Sequence, residues 1–244
     1  MALEPRTGDA RPFPPTQRSA VLGVRDGDPV ARARAFERLV VAYWRPAYKH
    51  VRLRWRRSPD EARDLVQGFF TDALDKRWFD AFDPARGRFR TFVRVCLDRF
   101  VAKEAQAERR QKRGGGARVE SLDFEAVEDE IGRSEGAAAD VEELFDAEWT
   151  RALFADALAA LRLECEAAGK QVHGRIFERV SLDDEPPSYA TLAAEHGLKI
   201  TDVTNHLAWA RRTFRRIVLE RLRDLTASDD EWRAEARAIL GRAP

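Results

Sequence analysis

The sequence predicts an all-α fold: two small helical domains joined by an acidic linker, the C-terminal domain containing a helix-turn-helix. Three observations carry this reading. Nearly every apolar repeat along the 244 residues has the spacing of an amphipathic helix, and none has the alternation of a strand. Three successive glycines, Gly114, Gly115 and Gly116, open a stretch rich in Asp, Glu, Ala and Gly in which that spacing fades. Near the C-terminus, "YATLAAEHGLKITDVTNHLAWARR" (189–212) reads as two short helices hinged at Gly197.

Residues 1–19, with Pro, Arg and Gly but no apolar core of a secretion signal, are expected to be a flexible tail. Residues 20–113 form the first helical domain. From Phe36 to Trp55 the apolar positions Phe36, Leu39, Val40, Tyr43, Ala47, Tyr48 and Val51 line one helical face, and Pro46 is expected to kink or split that helix. "SPDE" (58–61) is a helix start: Ser58 caps, Pro59 takes the first helical position, and Glu61 closes a capping box. Leu65, Val66, Phe69, Phe70, Ala73 and Leu74 follow on that helix. "FDPARG" (82–87) is a turn, and a long helix runs from about Arg88 to Lys112. Its rings Phe89, Phe92 and Phe100 lie at core spacing with Cys96.

The linker spans 114–139. Helical spacing resumes at 140–225, the second domain, with Leu144, Phe145, Trp149, Leu153, Ala157 and Leu161 before Gly169. A short helix covers about 172–180 and a loop covers 183–188. Ser188 is placed to cap the first helix of the hinged pair, Gly197 to end it, and Thr201 to cap the second. Val203, Leu207, Ala210, Phe214 and Ile217 recur at helical spacing on the second, leaving Asp202, Thr204, Asn205 and His206 outward near its start. Residues 226–244 are a C-terminal tail with one further helix, capped by Ser228 with Glu231.

Charge sorts along the chain. Residues 32–113 carry 22 Lys/Arg against 11 Asp/Glu, residues 114–147 carry 2 against 11, and residues 188–225 carry 7 against 4. Two basic blocks flanking an acidic one fit two nucleic-acid-facing domains and a linker between them. In the second domain Asn205 has the side chain to read an adenine edge and Thr204 to meet a thymine methyl. Arg211, Arg212, Arg215 and Arg216 suit phosphate contacts that position without specifying. In the first, Arg86, Arg88, Arg90, Arg94 and Arg99 interleave with aromatic rings.

Other classes find less support. No apolar run approaches the ~18 residues of a membrane span. Cys96 and Cys165 are far apart without metal spacing, and read as packed thiols in a reducing cytoplasm. His50, His173, His196 and His206 are scattered, so neither catalysis nor a cofactor is expected. A metal-dependent DNA-processing enzyme would have to use Asp60, Glu61 and Asp64, acids already explained as favourable charges at a helix start. Within the linker, "ESLDFEAVEDEIG" (120–132) leaves three readings: a divalent-metal cluster, a solvated spacer, or a mimic of nucleic acid that covers basic surface.

Three motifs in order resemble the sigma-70 family of transcription initiation factors, and their spacing resembles its compact extracytoplasmic-function (ECF) group. "DLVQGFFTDALDK" (64–76) is similar to the segment that docks on the RNA polymerase β′ coiled coil. "FDPARGRFRTFVRVCLDRFVAKEAQAERR" (82–110) is similar to the segment that captures the −10 promoter element, and 189–216 to the −35-reading helix-turn-helix. The resemblance implies a polymerase-docking patch of Asp64, Leu65, Gln67, Phe70 and Asp72. It implies a −10 surface of Arg86, Arg88, Arg90, Arg94, Arg99, Lys103, Arg109 and Arg110, extended by Lys112 and Arg113. It implies a −35 surface of Thr201, Asp202, Thr204, Asn205, His206, Arg211, Arg212 and Arg215. The tryptophan pair of the housekeeping members corresponds by pattern to Val95 and Cys96. Implied partners are core RNA polymerase, through its β′ coiled coil and β flap, promoter DNA, and an anti-sigma factor. A stand-alone helix-turn-helix regulator is the alternative.

Overall fold

The computed structural model describes residues 19–110, Phe124, Val127, Glu128, Ile131 and 141–241. Among these, all regular structure is helical. The α-helices are α1 (Ala20–Gly23), α2 (Pro29–Arg54), α3 (Pro59–Asp75), α4 (Phe89–Arg110), α5 (Val141–Ala167), α6 (Gln171–Ser181), α7 (Tyr189–His196), α8 (Ile200–Asp224) and α9 (Asp229–Leu240), with two short 3-10 turns between α3 and α4.

Local chemistry sets the ends. Asp28 caps α2 with Pro29 as its first residue. The Ser58–Glu61 capping box begins α3 as the sequence predicts: the Glu61 carboxylate accepts from Ser58 N–H at 2.9 Å. Pro46 does not split α2, which runs unbroken past it. The ring removes one intrahelical hydrogen bond, but Tyr43, Ala47, Tyr48 and Val51 on both sides are fully packed and hold the backbone in register.

α2, α3 and α4 share an aromatic core. Phe36 stacks on Phe79 at 5.6 Å, and Phe69 meets Phe70, Phe79 and Phe100. Phe89, at the start of α4, is buried against Tyr43, Phe79 and Phe82. The rings of Phe89 and Phe100 are therefore core, and Phe92 is half-buried against it, as their spacing indicates.

The two halves pack on each other. The start of α5 lies along α2, where Trp149 stacks on Tyr43 at 6.2 Å and Phe145 meets the His50 ring at 5.6 Å. Burying an indole of this size is worth about 4–6 kcal/mol of transfer free energy. The rest of α5 joins α6 and α8 through Leu153, Leu161, Ile176, Phe177, Leu207 and Ile217. Gly174 brings α6 close to α5: a Cβ there would lie 3.2 Å from Cys165 Sγ.

The linker is not wholly a solvated spacer. Phe124, Val127 and Ile131 are buried. Phe124 packs on Trp44 and Tyr48 with the Arg63 guanidinium over its ring. The Glu128 carboxylate accepts from Tyr48 Oη at 2.7 Å and from Arg52 Nε and Nη2 at 2.6 and 2.8 Å. Those hydrogen bonds from Arg52, its largest influence, hold the Glu128 carboxyl below the usual range. The remaining linker positions, the tail before Ser19, and Lys112 and Arg113 lie outside the described residues.

Candidate nucleic-acid interface

The hinged pair has the geometry its sequence predicts. Ser188 Oγ caps α7 by accepting from Thr191 N–H at 3.1 Å. Gly197 is left-handed at φ 64°, and Leu198 N–H returns to the Ala193 carbonyl at 2.9 Å. This closes the turn as in a glycine-ended helix. One detail differs. Thr201 does not cap α8; the cap position is Lys199 and the helix begins at Ile200, two residues earlier than a Thr201 cap would start it, because the Asp202 carboxylate accepts from Lys199 N–H at 3.1 Å and fixes the start there.

Val203, Leu207 and Ala210 face inward from α8, so its opposite side is open. Thr201, Thr204, Asn205, Arg211 and Arg212 are exposed, with the small, half-buried Ala208 between them. They follow i, i+3, i+4, i+7, i+10, i+11 and so form one stripe along the helix. Thr204 Oγ1 donates to the Ile200 carbonyl at 3.1 Å.

Two residues expected on that face are not fully on it. Asp202 is half-buried in its capping role. His206 turns toward α6, where its ring stacks on His173 at 3.7 Å beside Trp209. Burial first, then the neighbouring His206 and Lys170, lower the His173 pKa. Arg215 is half-buried, and Arg216 is tied to Glu164 at 2.5 Å and to Glu220 at 2.8 Å, bracing α8 against α5.

The basic residues of α4 do not share one face. Arg90 and Arg99 are nine residues apart, two and a half helical turns, and so point opposite ways. Arg99 and Lys103 are exposed, as is Arg86 in the preceding 3-10 turn. Arg94 is half-buried, 3.9 Å from Asp98. Arg90 is turned to the C-terminal half, only 7% exposed, between Asp146 at 3.1 Å and Glu235 at 3.3 Å and over the Trp149 ring. Arg88 is half in solvent with Glu235 3.6 Å away. The side chains of Arg109 and Arg110 lie outside the described residues.

α3 divides in the same way. Leu65, Gln67 and Phe70 are buried, Phe70 edge-on to Phe36. Asp64 is exposed, and Asp72 is half-buried and paired with Lys76 at 2.5 Å. With Asp60, Glu61, Thr71 and Asp75 also exposed, the open side of α3 is acidic. Val95 and Cys96 are both half-buried.

Composition missed two features. One is the seat of the linker on α2, for which Phe124, Val127, Glu128 and Ile131 at i, i+3, i+4, i+7 were the available signal. The other is the set of carboxylates on α9 that meets α4; the regular capping of that helix gave no hint of its destination.

Among the described residues no helix is long and apolar enough to cross a membrane, and no cluster of three His, Cys, Asp or Glu is arranged to hold a metal. A family model described as "ECF sigma factor" matches residues 19–186, ending just before α7. No curated protein and no solved structure matches the chain.

Proposed function

This chain belongs to the ECF sigma factor family, non-enzymatic transcription initiation factors that act with RNA polymerase, and we propose that it directs promoter-specific initiation by holding a −10 element on its N-terminal half and reading a −35 element with α8. The observation that carries the finer reading is the open stripe of Thr201, Thr204, Asn205, Arg211 and Arg212 on the helix that follows a left-handed Gly197. A helix presenting Asn and Thr near its N-terminus and arginines beyond them offers base-edge contacts first and phosphate contacts after.

The acidic open side of α3, centred on Asp64, is the proposed dock for the basic β′ coiled coil. Phe70 supports it from beneath by fixing α3 on Phe36 of α2, and Leu65 and Gln67 are buried on the same helix. The β flap is assigned to the C-terminal half. Arg86, Arg99 and Lys103, with Arg88 exposed beside Glu235, make up the −10 surface that is open in this structure. Chemistry stays in the polymerase. The factor supplies position and captures unpaired bases, whose extrusion costs a few kcal/mol each.

Run-off transcription with purified core polymerase on genomic fragments tests this. Discrete start sites that depend on the protein, with Asn205→Ala changing which fragments are used, are the expected result. Tight fragment binding that ignores polymerase would overturn it in favour of a stand-alone regulator.

A further inference from the structure

α9 reaches across the molecule to the start of α4. Glu231 Oε1 accepts from Phe89 N–H at 2.7 Å, taking up a backbone donor that α4 leaves free at its N-terminus. One turn further along α9, Glu235 lies 3.3 Å from Arg90 and 3.6 Å from Arg88 and is only 2% exposed. Asp146 of α5 pairs with the same Arg90 guanidinium from another side. A helix N-terminus flanked by two arginines favours anionic oxygens, and among the described residues these contacts are made by carboxylates of the chain's own C-terminal half.

We propose that α9 is an internal competitor for nucleic acid: Glu231 and Glu235 occupy the place of strand phosphates at the N-terminus of α4, and this structure is the closed state in which that site is shut. The inference rests on the assignment of Arg88 and Arg90 to the −10 surface and adds how access to them is controlled. Arg90 cannot reach a strand while it lies under Trp149 and between Asp146 and Glu235. Opening therefore means parting α9 and the start of α5 from α4. The closed state is poised rather than maximally tight. Glu235 Oε2 is buried with no hydrogen-bond partner among the described residues, and burial raises the Glu235 pKa. Polymerase and DNA, by engaging both halves, draw the population open. The apparent affinity of the free factor for a strand is its intrinsic affinity reduced by the open fraction.

The test uses the full chain. Glu235→Lys sets a third cation against Arg88 and Arg90. Ala234→Lys, at an exposed position on the same helix, adds the same charge without facing them. Binding to a labelled single-stranded oligonucleotide and the radius of gyration in solution are measured for both, alone and with Arg90→Ala. Glu235→Lys is expected to expand and to bind roughly tenfold tighter, with the gain removed by Arg90→Ala and absent from Ala234→Lys. No expansion, an equal gain in Ala234→Lys, or a gain that survives Arg90→Ala would overturn the proposal. Hydrogen exchange of the wild type with and without core polymerase guards against a misfolded variant: protection at 229–240 should fall on binding, and unchanged protection in a formed complex counts against the clasp. Wild type that fails to bind core polymerase at all would instead overturn the promoter-factor reading, leaving the oligonucleotide and scattering results to decide the clasp.

Discussion

Lys49 Nζ lies 2.6 Å from Glu148 Oε2 across the seam between the two halves, and each side chain is at most 6% exposed. Glu148 also holds the Arg151 guanidinium, whose own side chain is largely in solvent. Glu148→Leu removes a buried carboxylate that both Lys49 and Arg151 use and should cost about 3 kcal/mol or more. Lys49→Met leaves Glu148 with Arg151 and should cost less. Denaturant unfolding of the two variants measures this; equal losses would mean Arg151 shares none of the charge.

The linker seat predicts a local effect. Glu128→Ala removes the partner of Arg52 and Tyr48. Both side chains of the Arg52 pair keep some solvent contact, so the loss should be about 1 kcal/mol. Hydrogen exchange at 124–131 should rise well above wild type while α3 stays protected. Phe124→Ala should act the same way through lost ring packing.

The α8 stripe separates specificity from affinity. Asn205→Ala should change preference at one or two base pairs by about 1–3 kcal/mol. Arg211→Ala should weaken all sequences alike and lower the salt dependence by about one counterion. Competition binding of the polymerase complex to a set of single-base promoter variants distinguishes them, and a uniform loss in Asn205→Ala would make that residue a backbone contact.

Asp64 is exposed on α3, so Asp64→Lys should leave the melting temperature within about 2 °C of wild type. Its affinity for core polymerase should fall at least tenfold, read by co-purification or fluorescence titration. Phe70→Ala, by contrast, should lose about 3–5 kcal/mol of stability, because its ring lies in the core.

Acid should loosen the packing under the reading helix. The folded pKa of His173 lies below its ordinary 6.5. The unfolded chain therefore takes up a proton first as pH falls. The stability this group contributes is present above about pH 6.5 and is lost as pH drops through the lower folded value. Unfolding followed from pH 7.5 to 5.5 should show that slope, and His173→Phe should flatten it. His206, Lys170 and Trp209 surround the ring.

Helix content was legible because amphipathic spacing and end chemistry are local. The Ser58–Glu61 box, the Ser188 cap and left-handed Gly197 follow from a few neighbouring residues. The face each charged residue occupies was not, because it depends on what a distant element presents. Five arginines in one stretch read as one surface, yet Arg90 is claimed by Asp146 and Glu235 while Arg99 stays in solvent. His206 looked outward until His173, on another helix, offered it a ring to stack on. The acidic block invited the idea of a cover over basic surface. Two acids of that block do meet basic residues of the first half, Asp146 on Arg90 and Glu128 on Arg52, while Glu235 of α9, outside the block, meets Arg88 and Arg90.

The partners of Arg90 also impose an order of events on a growing chain. Glu235 is added 145 positions after Arg90, which at ordinary translation speeds is roughly 7–30 s later. Through that interval Arg88 and Arg90 lack the Glu235 carboxylate that meets them in the folded chain. Asp146 is made well before α9, so the carboxylates around Arg90 arrive in two steps, first from α5 and then from α9.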